Sequence, residues 1–128
     1  MSFEEAEVLR ERARAFLTNA ARLVEEGVFD LAAFCLEQSC QLLAKYKLLV
    51  KTDTYPRTHS LIRLLRLLAK ISPKLEEFLG DEQNVIYLTK LEDAYIGARY
   101  LPRRYEEKEV RALQRFVEEV YFPLVEQL

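Results

Sequence analysis

Apolar residues recur along this chain at spacings of three and four, the period of one face of an α-helix. In the first segment Leu9, Ala13, Phe16, Leu17, Ala20, Leu23 and Val24 share a side, with Ser2 and Glu5 as a capping box and Gly27 as the stop. A second stripe with Leu31, Phe34, Cys35, Leu42 and Leu49 follows Asp30 as N-cap and runs to about Lys51. Thr52 to Pro56 reads as a loop, because Pro56 biases Tyr55 away from the α region. A third helix is expected from near Thr58, carrying Leu61, Leu64, Leu65 and Leu68. Ser72-Pro73 opens a short helix that Gly80 ends, and Asp81 opens another that runs to about Arg99, before Leu101-Pro102. From Glu106 a last stripe holds Val110, Leu113, Val117, Val120, Tyr121 and Leu124, and Pro123 should bend or fray it.

These stripes predict an all-α protein. Two long helices joined by the tight Gly27–Asp30 connection must pack antiparallel, and the others close an up-and-down antiparallel bundle of about five helices. Residues 1–128 read as a single helical domain with no linker or repeat. Three Gly and four Pro are too few for the frequent turns of an all-β fold. No apolar run spans a membrane, and Glu4, Glu5 and Glu7 have the wrong sign for a targeting signal, so a cytoplasmic protein is expected. Cys35 and Cys40 lie five apart on one helix, roughly 7.5 Å along its axis, which is too far to bridge. With the single His59 they make no zinc spacing, so neither a metal nor a cofactor is expected.

Charge changes this bland picture. The net charge of −2 conceals a segregation. Between Lys45 and Lys70 stand Lys45, Lys47, Lys51, Arg57, Arg63, Arg66 and Lys70, with His59, against Asp53 alone. Between Gly97 and Tyr105 stand Arg99, Arg103 and Arg104 with no acid. Such stretches are solvated helix faces if they lie apart, and a local field for phosphates or an acidic partner if the fold brings them together.

Two short runs carry the candidate chemistry. In Tyr55-Pro56-Arg57-Thr58-His59-Ser60-Leu61 a rigid turn places a cation and the one imidazole at a helix start, where anions are favoured. In Tyr95-Ile96-Gly97-Ala98-Arg99-Tyr100-Leu101-Pro102 an arginine stands where a helix ends. Each also has an ordinary structural role: His59 can be a helix-start residue, and Arg99 can cap the last carbonyls of its helix.

Taken together with Gln38-Ser39-Cys40-Gln41-Leu42-Leu43-Ala44-Lys45 and the Gly27–Asp30 turn, these runs resemble a HEPN domain over essentially the whole chain. The resemblance implies a helical bundle, commonly a homodimer, with polar positions facing a shared cleft. It also implies pairing with a minimal nucleotidyltransferase, as in toxin–antitoxin modules. Many HEPN proteins are metal-independent RNases with an arginine and a histidine separated by four to six residues. Here the corresponding positions are Thr54, Asp53 and Thr52, and Gln41 stands where the family often has a glutamate, although Lys45 matches a family lysine.

The absent motif favours binding over catalysis. The expected function is a nucleotide- or anion-binding module, or the partner of a nucleotidyltransferase. Arg57 and Arg99 would be bidentate phosphate donors, Lys45 a point charge, His59 a further ligand-binding residue, and Tyr100 a stacking or hydrogen-bonding group. A non-standard RNase using His59 as acid or base, with Arg57 or Arg99 stabilising charge, stays open as an alternative. So does a purely structural protein that docks an acidic partner through Tyr100. A nucleotide or RNA is the expected ligand class, with neither DNA nor membrane as a partner. Tyr87, Tyr95 and Tyr105 are expected to be exposed aromatics at a dimer interface.

Overall fold

The computed structural model describes residues 3–128, and every regular element among them is helical. The order is α1 (Phe3–Glu25), α2 (Phe29–Thr52), α3 (Leu61–Ala69), α4 (Pro73–Leu79), α5 (Glu82–Tyr100) and α6 (Glu107–Phe116). The last continues through a π-helical turn (Val117–Tyr121) into a final α-helical turn (Phe122–Glu126). Ser2, half of the expected capping box, lies outside the described residues. No described helix is long and apolar enough to cross a membrane.

Side-chain contacts fix the helix directions. Arg111, early in α6, reaches Glu25 at the end of α1, and Glu126 at the far end reaches Arg14. Lys47, late in α2, donates to the Glu126 carbonyl, whereas Tyr105, just before α6, donates from its backbone to Asp30 at the start of α2. Arg99 at the end of α5 lies over Phe34 near the start of α2. Thus α1, α2, α5 and α6 alternate in direction, an up-and-down bundle, with α3 and α4 as a short crossover packed on α2 and α5.

The crossover is held by burial. Leu61, Leu64, Leu65 and Leu68 of α3 are all fully buried, each contributing roughly 1.5–3 kcal/mol. A nine-residue helix is too short to persist alone in water, so tertiary packing makes it stable.

Three local expectations change. First, α3 starts at Leu61 rather than near Thr58. The Thr58 hydroxyl accepts from the Ser60 backbone, and Ser60 Oγ accepts from Arg63 N at 3.2 Å, so Ser60 is the N-cap and His59 lies in the connector before it. Second, Asp30 does not cap α2, which begins at Phe29; its carboxylate accepts from Tyr105 N at 2.8 Å instead. Third, the helix does not fray at Pro123 but is distorted just before it. The proline has no N–H to donate and its ring crowds the carbonyl four residues back; the wide turn just before it, where Phe122 N–H reaches Val117 O, absorbs the misfit.

The expected exposed aromatics are also corrected. Tyr105 is buried, Tyr87 is half-buried and stacked on Phe116, and Tyr95 is half-buried beneath other side chains. Tyr100, at 68% exposed, is the open one.

Candidate functional site

The site grows from one face of α2. Glu37, Gln41 and Lys45 are four residues apart and therefore stack along one side of the helix. Glu37 is fully buried, and its two carboxylate oxygens accept from Gln38 Nε2 and Gln41 Nε2, both at 2.8 Å. Burial pushes its carboxyl up to about 7, against the pull of those two amides; repulsion from Glu92 adds to the rise and attraction from Lys45 opposes it.

The bond to Glu37 fixes which way the Gln41 amide points. Its nitrogen is taken by the carboxylate and, at 3.4 Å, by the His59 carbonyl. Its oxygen therefore faces Lys45 Nζ at 3.0 Å and His59 Nδ1 at 3.4 Å. An amide oxygen only accepts, so the proton of a neutral His59 belongs on Nδ1, and Nε2 is left as the basic nitrogen. Burial draws the Lys45 ammonium below its usual value, which the Glu37 charge opposes.

The second half comes from α5. The His59 ring stacks on Tyr95, centroids 4.5 Å apart and planes at 16°. One turn on, Arg99 lies 4.6 Å from the Tyr95 centroid, 4.3 Å from Phe34 and 4.6 Å from Tyr100. Its Nε and Nη2 donate to the Tyr95 carbonyl at 3.0 and 2.8 Å, and Nη1 to the Tyr100 hydroxyl at 3.1 Å. Arg99 is thus the expected cap of its own helix, yet it is also fixed in place with its charge unmet. Among the described residues, neither Arg99 nor Lys45 belongs to an ion pair.

Just beneath, Ser60 Oγ donates to Glu92 Oε1 at 2.6 Å, and Ile62 N donates to the same oxygen at 3.1 Å. This ties the connector that carries His59 to α5, so the two basic stretches meet through Glu92 and Tyr95. Arg63 and Arg66 of α3, with Lys70 just past its end, line an adjoining groove with Ser60 and Glu92.

Of the residues singled out from the sequence, the fold gathers Lys45, His59, Arg99 and Tyr100 around Gln41 and Tyr95. Arg57 is exposed beside Leu49, Asp53, Thr54 and Tyr55 in a shallow depression facing the start of α1, and the Tyr55 ring of that depression carries Lys45 Nζ 5.8 Å from its centroid. Glu37 and Glu92 are not among the residues singled out from the sequence, and Tyr95 is singled out there as an interface aromatic. The Glu37-x-x-x-Gln41-x-x-x-Lys45 spacing is a readable signal for Glu37; nothing local marks Glu92. No three His, Cys, Asp or Glu side chains among the described residues come together to hold a metal, and Cys35 and Cys40 are buried free thiols.

The arrangement offers an exposed imidazole and guanidinium, a half-buried ammonium, and the aromatic ring of the exposed Tyr100. That set can hold a phosphate beside a planar base. The family model for the HEPN domain matches residues 6–128. No curated protein matches the chain.

Proposed function

Because the chain belongs to the HEPN domain family, we propose that it is a nucleotide-binding module working beside a minimal nucleotidyltransferase, as one half of a two-gene toxin–antitoxin pair. One observation carries the reading: Arg99 is held rigid by neutral acceptors and aromatic faces, next to the His59–Tyr95 stack, with no carboxylate to neutralise it. A guanidinium placed in advance loses little freedom on meeting a phosphate, so its charge is available for binding. Lys45 adds a second cation across Gln41, and Tyr100 offers an exposed ring and hydroxyl to the ligand. The proposal includes a homodimer in the cytoplasm, with Tyr100 open to a second copy.

Calorimetry with ATP and with a short single-stranded RNA tests it on wild type and Arg99→Ala. Saturable binding by wild type, weakened about tenfold or more in the variant, is expected, equivalent to one charge-assisted contact. Absence of binding in wild type removes the proposal. Light scattering tests the dimer; a mass of 15.1 kDa at working concentration removes that part.

A second reading has its own support. The Gln41 contact leaves His59 Nε2 as a base, and Arg99 is one ring away, the two roles an RNase needs. Cleavage of RNA by wild type that His59→Ala abolishes would favour it; equal activity in both would sink it.

A further inference from the structure

The exposed side of α3 carries a groove that leads away from the His59–Tyr95 stack. Burial of Leu61, Leu64, Leu65 and Leu68 leaves Arg63 and Arg66, with Lys70 at the C-cap, on the outer face of the helix. At 100° and 1.5 Å per residue these three cations fall within roughly 60° of arc and about 10.5 Å of axial rise. They line the groove together with the half-buried Ile62 and Leu67, and Ser60 and Glu92 stand at its end beside His59.

The charge of this groove is unbalanced, at some cost to the helix. Arg10, Arg14, Arg22, Arg103 and Arg111 each meet a carboxylate. Among the described residues, none of Arg63, Arg66 and Lys70 does. No acid stands between Thr54 and Leu75 in the sequence. Arg66 and Lys70 are like charges four residues apart, which repel across one helical turn. Glu92 is the one carboxylate of the lining, and its Oε1 is taken by Ser60 Oγ and Ile62 N, so the groove keeps a net positive charge. A solvated helix face interleaves the two signs. Three cations in a row, all unmet, are complementary to a line of anions.

We infer that the groove is a track for the phosphate backbone of a single-stranded polynucleotide whose end nucleotide occupies the site of His59, Arg99 and Tyr100, which rests on the nucleotide binding proposed for that site. A stacked strand carries about one phosphate per 3.4 Å of its axis, so a row of about 10.5 Å matches about three phosphate intervals. Arg63 and Arg66 hold phosphate oxygens as planar forks, and Lys70 adds a point charge. A single strand fits and a duplex does not, because only an unpaired base is free to lie on the exposed Tyr100 ring. Phosphate contacts carry no sequence information, so the groove supplies affinity and length dependence without base preference.

Calorimetry of the full chain with ATP and with hexa-adenylate, between about 50 and 200 mM salt, tests this on wild type and on Arg63→Gln/Arg66→Gln, both exposed positions. The hexamer is expected to bind wild type about tenfold or more tightly than ATP, and the double variant to lose about tenfold for the hexamer but less than about twofold for ATP. The slope of log affinity against log salt for the hexamer should fall by about 1.4, roughly 0.7 for each lost phosphate contact. No binding of either ligand to wild type removes the nucleotide site and the track together. ATP binding that Arg99→Ala weakens, with hexamer affinity and salt slope unchanged in the double variant, overturns the track alone. So does an equal loss for ATP and the hexamer, or hexa-glutamate binding more tightly than hexa-adenylate, which would assign the row to an acidic protein.

Discussion

The imidazole of His59 lies flat against the phenol of Tyr95, 4.5 Å from centroid to centroid. His59 stands in a short connector and Tyr95 in the C-terminal half of α5, so this contact joins the loop after α2 to the helix that carries Arg99. Neither ring is a ligand-binding device alone. Stacked, they orient His59 and give Arg99 one of its aromatic neighbours.

Arg99→Lys is expected to bind nucleotide almost as poorly as Arg99→Ala, about tenfold below wild type or weaker. A lysine has one ammonium and cannot reproduce a fork that uses three nitrogens toward two oxygens. Calorimetry on both variants checks this. Recovery of wild-type affinity in the lysine variant would show that charge alone suffices.

Glu37 makes stability depend on pH. Its carboxyl is raised to about 7, above the usual value of 4.5, so between those values the folded chain holds a proton that the unfolded chain has lost. Its stabilising contribution is complete below about pH 4.5 and disappears as pH rises through about 7, on the order of 3 kcal/mol in all. Urea unfolding of wild type and Glu37→Gln across this range measures it. The difference between their stabilities should grow in favour of the glutamine variant as pH rises, and a constant difference would refute the assignment.

Ser60→Ala removes an N-cap and a short bond to Glu92 together. Loss of the cap costs about 1–2 kcal/mol, and the unmet Glu92 oxygen adds to it. Denaturant midpoints read the total. Amide exchange should also quicken in residues 58–64, since the connector then loses its tie to α5. A loss below ~0.5 kcal/mol would mean that packing of the α3 leucines holds the segment unaided.

Tyr121→Phe deletes a buried hydroxyl that donates to the Cys40 carbonyl at 2.7 Å. The expected cost is about 1–3 kcal/mol, because the hydroxyl is the partner that anchors the π-helical turn to α2. Thermal melts of the two proteins decide it; an unchanged melting temperature would mean the carbonyl is satisfied without it.

The helices were legible because their signals are local. Gly27 ends α1 at a φ of +77°, Ser72 and Pro73 open α4, and Asp81 caps α5, each an interaction within a few residues. Asp30 as a cap, and fraying at Pro123, do not hold, for the complementary reason. The Asp30 carboxylate found a donor 75 residues away, and the strain at Pro123 was taken up by a widened turn whose side chains pack against α2.

The site divides along the same line. The sequence by itself determined an all-α bundle, the segregation of charge, and the identities of Lys45, His59, Arg99 and Tyr100 as its polar candidates. Periodicity and composition are properties of the chain as written, so they can be read from it. Only the tertiary structure decided that Tyr95 lies between His59 and Arg99, and that Arg57 shares a depression with Tyr55 facing the start of α1. It also decided that Glu37, buried among helices distant in sequence, holds the Gln41 amide that Lys45 and His59 share. Those relationships depend on distances across α2, the connector and α5, which packing of the α3 leucines against the bundle sets and which no local pattern records.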